Sequence, residues 1–149
     1  MAFDLSTSHE KVAALLGDPA HVRWDEEQIE RAIAQALGEI SLAAGQILTL
    51  RDLEDAPETS VPEQLEAALV SGAAGFCAVM RAGARADWES QAEGEPRRLS
   101  AWGEARLAEF RAQVYRLYAA EARLHTQRNG TAPWGGWPDD FGELGQNDL

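Results

Sequence analysis

Three histidines, one cysteine and a group of glutamates are the side chains here with the most capacity for chemistry, and their spacing argues against it. His9, His21 and His125 do not stand four residues apart, the step that puts two imidazoles on one helix face for a metal, and no H-E-x-x-H occurs. Each reads as a surface or capping residue. Glu26, Glu27, Glu30 and Glu39 share one predicted helix but lack the E-x-x-H step of di-iron bundles, so they read as a solvated acidic face. Cys77 lies in a run of small apolar residues and reads as a buried, inert thiol rather than a reactive one. Nucleophile elbows and G-x-G-x-x-G are missing. No catalytic, cofactor-binding or metal-binding residue is assigned, no cofactor is expected, and the chain is not read as an enzyme.

What the sequence does specify is a helix start. In Val22-Arg23-Trp24-Asp25-Glu26-Glu27-Gln28-Ile29, Asp25 and Gln28 have the spacing of a capping box, in which each side chain satisfies the other residue's amide. Trp24 before the cap and Ile29 at the fourth helical position can close as a hydrophobic staple. Three acidic residues face the positive end of the helix dipole. Ile29, Ile33, Ala36, Leu37, Ile40 and Ala44 then recur at three- and four-residue steps, one buried face on a helix from about Asp25 to Ala44 that Gly45 ends.

The elements around this helix follow from similar signals. Thr7-x-x-Glu10 has capping-box spacing before Val12, Ala13, Leu15 and Leu16, after a leader over 1–6, and Gly17 stops that helix. Residues 46–53 alternate in part, but a lone strand has no partner, so an extended segment across the helices is expected. Ser60 and Glu63 repeat the capping-box spacing ahead of a helix whose apolar face is Leu65, Leu69, Ala73, Phe76 and Met80. Gly72, Ala73, Ala74 and Gly75 offer a close approach to another helix, a packing reason for two glycines that each cost about 1 kcal/mol in a helix. Residues 91–98 read as a loop. A long helix from Leu99 to about His125 carries Leu99, Trp102, Leu107, Phe110, Val114, Leu117 and Leu124 on its apolar side. The expected fold is therefore all-α, a small bundle of about three to four helices over 1–125, followed by an extended Gly/Pro/Trp-rich tail over 126–149.

Length and charge narrow the function classes. A chain of 149 residues buries a core without disulfides or metal. No apolar run reaches the roughly 18 residues of a membrane span, and the start lacks the basic and apolar regions of a signal peptide, so a soluble protein made in the cytosol is expected. A net charge of −12 argues against a nucleic-acid clamp. Residues 1–66 hold 14 acidic against 4 basic side chains, whereas residues 97–128 hold 7 arginines against 3 glutamates. This asymmetry reads either as a solvated surface with internal ion pairs or as complementarity between neighbouring copies. In the tail, Trp134, Trp137 and Phe141 are costly to leave in water and read as anchors for a partner's groove.

The segment Leu16-Gly17-Asp18-Pro19-Ala20-His21-Val22-Arg23-Trp24-Asp25-Glu26-Glu27-Gln28-Ile29, followed by Ala32-Ile33 and Ala36-Leu37, resembles the opening of bacteriophage head–tail adaptor (connector) proteins. Leu50-Arg51-Asp52-Leu53, Ser60-Val61-Pro62, Leu69-Val70-Ser71-Gly72-Ala73-Ala74-Gly75 and Ala101-Trp102-Gly103-Glu104-Ala105-Arg106-Leu107-Ala108-Glu109-Phe110 are similar to later parts of such proteins. The likeness covers roughly residues 10–118; the closing tail matches nothing. The resemblance implies a non-catalytic virion component: a homo-oligomeric ring, commonly a dodecamer, below the portal protein. Such a ring continues the DNA channel without sequence-specific binding and presents a platform to stopper or tail proteins. On this reading Trp24, Asp25, Gln28, Ile29, Trp102, Phe110, Trp134, Trp137 and Phe141 are structural or interface residues. The protein would be made in the bacterial cytoplasm and end in the neck of a phage or phage-derived particle, away from any membrane. A different class, a small helical binding module or regulator that docks a partner through its Trp-rich tail, is the competing expectation.

Overall fold

Four helices are built from these signals in the computed structural model, which describes residues 3–86 and 95–129. They are α1 (Leu5–Leu15), α2 (Glu26–Ala44), α3 (Glu66–Ala86) and α4 (Glu95–Asn129), with short 3₁₀ turns at Leu53–Asp55 and Glu63–Leu65. The fold is all-α, and among the described residues there is no strand. The chain divides into two compact units, Met1–Arg116 and Leu117–Leu149. The first holds α1, α2, α3 and the greater part of α4; the described part of the second is the remainder of α4, to Asn129.

Helix α1 begins earlier than its capping-box spacing predicts. Asp4, not Thr7, is the N-cap, and its carboxylate accepts the Thr7 amide at 2.8 Å. The choice is tertiary. Asp4 and Arg51 form an isolated parallel bridge, the Leu5 amide donates to the Arg51 carbonyl at 3.1 Å, and the Arg51 guanidinium reaches Asp4 Oδ2 at 2.6 Å. A partner 47 residues away in sequence holds the cap. At the other end, Gly17 takes φ +68°; its amide donates to the Ala14 carbonyl and the Asp18 amide to the Ala13 carbonyl, a Schellman closure.

Helix α2 has the predicted capping box. The Gln28 amide donates to Asp25 Oδ1 at 2.8 Å and the Asp25 amide to Gln28 Oε1 at 3.1 Å. Ile29, Ala32, Ile33, Ala36, Leu37 and Ile40 form its buried face. Gly45, also at φ +68°, closes it with the same Schellman pair, Gly45 to Leu42 and Gln46 to Ser41.

The extended segment after α2 docks on its own return path. The Leu48 amide donates to Ser41 Oγ, and the Thr49 carbonyl accepts the Ser60 and Val61 amides. The Thr49 amide donates to Ser60 Oγ at 2.7 Å. Ser60 is therefore not the cap of α3 that its spacing to Glu63 predicts. Its hydroxyl serves the 46–50 segment, and a 3₁₀ turn after Pro62 leads into α3. Leu48, Leu50, Leu53 and Val61 are buried beneath this clasp.

Helix α3 is the most enclosed element. It packs on α1 and α2, and residues 72–78 are buried without a break. A helix apolar around its circumference is one surrounded by neighbours. Met80, expected on the apolar face, is 42% exposed. The close approach predicted for Gly72 and Gly75 is made by α4. A Cβ on Gly72 would stand 2.8 Å from the Phe110 ring, one on Gly75 would stand 3.0 Å from the Gly103 carbonyl oxygen, and one on Gly103 would stand 3.0 Å from the Gly75 carbonyl oxygen. Gly103, Leu107, Phe110 and Val114 are the buried seam of α4. Helix α4 starts at Glu95, inside the segment read as a loop, and runs past His125 to Asn129. The expected tail anchors Trp134, Trp137 and Phe141 lie outside the described residues.

Candidate functional site

One side chain organises the loop between α1 and α2. Asp18, 6% exposed, turns its carboxylate back into the loop. Oδ1 accepts the Val22 amide at 2.9 Å, and Oδ2 accepts the Arg23 amide at 2.7 Å and the Trp24 amide at 3.0 Å. Burial opposes ionisation of this carboxyl, but the three amides outweigh burial and hold it below the ordinary carboxylate range. Asp18 in the sequence signals only a turn; that it collects three amides depends on the loop folding over it. The same fold places His21 at φ +54°, a left-handed conformation uncommon outside glycine, asparagine and aspartate.

The loop delivers Trp24 to the core. Trp24 is 4% exposed, and its indole Nε1 donates to the Cys77 carbonyl on α3 at 3.2 Å. The Arg81 guanidinium lies 5.2 Å from the ring centroid and also donates to the Arg23 carbonyl. Trp24 is thus tied to α3 as well as placed before the α2 cap, and Ile29 is fully buried. Cys77 is buried in this core, and burial pushes its thiol up to about 12, so at neutral pH it is protonated and a poor nucleophile. Trp102 is half-buried on α4 with the Arg106 guanidinium 5.3 Å from its ring centroid, and Phe110 is fully buried against Gly72.

Two of the three histidines, each read as a surface or capping residue, are brought together by the fold, and both are half-buried. His9 on α1 and His21 in the loop bring their ring centroids within 5.3 Å at an interplanar angle of 45°. His9 Nε2 lies 2.9 Å from the Glu26 carbonyl, whereas His21 Nδ1 is buried without a hydrogen-bond partner. Twelve residues separate them in sequence, so only the turn between α1 and α2 pairs them. Among the described residues no three His, Cys, Asp or Glu side chains converge as a metal set.

The surface carries two further features. Glu26, Glu27 and Glu30 are exposed on the first turns of α2, with Glu27 paired to Arg31. Further along, Glu39 takes both Nε (3.0 Å) and Nη2 (2.7 Å) of Arg111, so part of the acid–base asymmetry is satisfied within the chain. Three branched apolar side chains stand in water: Val22 at 83%, Leu42 at 83% and Ile47 at 90% exposure. Val22 lies in the loop held by Asp18, Leu42 in the last turn of α2, and Ile47 just after the helix stop at Gly45. Val22 donates to Asp18, and Leu42 and Ile47 flank the Schellman closure at Gly45. Comparison with protein-family models, curated proteins and solved structures gives no match for this chain.

Proposed function

We propose that this chain is a structural head–tail adaptor of a tailed phage or phage-derived particle, a ring component that joins the portal to the stopper or tail and continues the DNA channel. The observation that carries the proposal is the presentation of Val22, Leu42 and Ile47. Val22 stands on a loop tied to Asp18, and Leu42 and Ile47 stand on either side of the Schellman closure at Gly45, yet all three side chains are left in water. Rigid apolar side chains reach a partner's pocket with little further loss of conformational freedom, which suits repeated contact between proteins. The exposed carboxylates of Glu26, Glu27 and Glu30 suit a wall that repels DNA phosphates rather than gripping them. The resemblance over residues 10–118 supplies the specific particle and partners. A ring of one chain requires heterologous interfaces, in which one face meets a different face of the next copy. The test is electron microscopy of the purified chain mixed with the portal protein of its own particle. The expected image is a second ring under the portal; portal rings unchanged at saturating chain concentration overturn the proposal.

A further inference from the structure

We infer that His9 and His21 together form a binding site for a divalent transition-metal ion of the zinc, nickel or copper class, which clips α1 to the loop that leads into α2. The inference does not rest on the adaptor reading. The Glu26 carbonyl oxygen can only accept, so the hydrogen bond at 2.9 Å puts the proton of His9 on Nε2 and leaves the lone pair on Nδ1. A ring nitrogen that donates to a backbone carbonyl while its other nitrogen stays free is the usual supporting arrangement of a metal-ligating histidine.

His21 provides the second ligand. Its Nδ1 is buried and has no hydrogen-bond partner, a cost that an ion on that nitrogen removes. The backbone that carries the ring is held in place. Asp18 fixes the loop through three amides, and the backbone of His21 is kept in a left-handed conformation. Because both Asp18 oxygens already take amides, Asp18 acts as the frame and also adds a nearby negative charge.

The ring spacing agrees with this assignment. Two imidazoles on one tetrahedral ion, each with a nitrogen roughly 2.0–2.1 Å from the metal, place their centroids roughly 5 Å apart. The observed separation is 5.3 Å. Two neutral imidazoles favour zinc, copper and nickel over magnesium or calcium, which need oxygen donors. With two protein ligands the ion stabilises structure at modest affinity.

The experiment is calorimetric titration of the untagged full chain with zinc chloride at pH 7.5. Wild type is expected to bind one zinc per chain. His9→Gln and His21→Asn are expected to weaken binding by more than about tenfold, since even loss of a supporting group around a metal costs that much. Asparagine is chosen at 21 because it tolerates a positive φ. His125→Gln is expected to bind as wild type, and magnesium chloride is expected to give no specific heat. Should a variant fail to fold by circular dichroism, copper(II) added to wild type provides the second readout. Selective paramagnetic broadening of the His9 and His21 ring protons supports the site. The inference is overturned if wild type binds no zinc, if folded His9 and His21 variants bind as wild type does, or if broadening centres on His125 or on carboxylate side chains.

Discussion

Alanine at Gly103 replaces a hydrogen with a methyl group at the point where α3 and α4 come closest. The new carbon would stand 2.9 Å from Val79 Cγ2, 3.0 Å from Ala78 Cβ and 3.0 Å from the Gly75 carbonyl oxygen. The valine methyl can rotate away. The alanine Cβ and the carbonyl oxygen move only with the backbone of α3, whose residues 72–78 are buried without a break. Two effects compete. Alanine in a helix interior gains about 1 kcal/mol over glycine from backbone entropy. Overpacking a buried helix contact costs about 1–3 kcal/mol. With two of three neighbours immobile, the cost belongs toward the upper end, and a net loss of about 1–2 kcal/mol follows. The matched control is Gly38 on α2, where a Cβ meets nothing within 4 Å. Gly38→Ala keeps the entropic gain with no clash and should stabilise by up to about 1 kcal/mol. Denaturant unfolding followed by circular dichroism separates the two, with the midpoints moving in opposite directions at unchanged slope. In thermal melts each kcal/mol corresponds to roughly 2–4 °C for a chain of this size. A stabilised Gly103→Ala protein would show that the α3–α4 contact is not tight, and the account of the glycines would fail.

Other expectations follow from the loop, the caps and the exposed side chains. Trp24→Ala removes a 4%-exposed ring and its hydrogen bond to Cys77, and should cost about 3–5 kcal/mol in urea unfolding; an unchanged midpoint would deny the ring its burial. Asp4 is held at about 2 by the Thr7 amide, then the Thr7 hydroxyl and Arg51, below its ordinary 3.8. The unfolded chain therefore takes up that proton first, so the contribution of Asp4 is complete above pH 3.8 and fades as pH falls toward 2. Urea midpoints measured from pH 5 to 2 should decline less steeply in Asp4→Asn than in wild type. The double substitution Leu42→Ser, Ile47→Ser should leave stability within about 0.5 kcal/mol, because both side chains already stand in water, yet reduce ring formation on the portal in micrographs. Undiminished assembly would remove these residues from the interface.

The comparison of α1 with α2 shows which kind of information lies in the sequence itself. The Asp25–Gln28 box, the α2 stripe and the stops at Gly17 and Gly45 depend on residues within four or five positions, so composition and spacing settle them locally. The all-α class follows from the same short-range periodicity. Asp4 displacing Thr7 as a cap, and Ser60 serving Thr49 instead of α3, depend on partners 47 and 11 residues away, which propensity does not register. Likewise the small residues at 72–75 announce a close neighbour, but only the folded chain identifies it as Gly103, Leu107 and Phe110. The candidate site divides in the same way. Trp24 and Ile29 are legible as apolar residues that bracket one helix start, and both are buried. The three amides on Asp18 and the pairing of His9 with His21 come from a chain reversal that brings together groups with no periodic relation. Short-range hydrogen bonding and hydrophobic spacing are written along the chain; the meeting of distant polar groups is decided by how the helices pack.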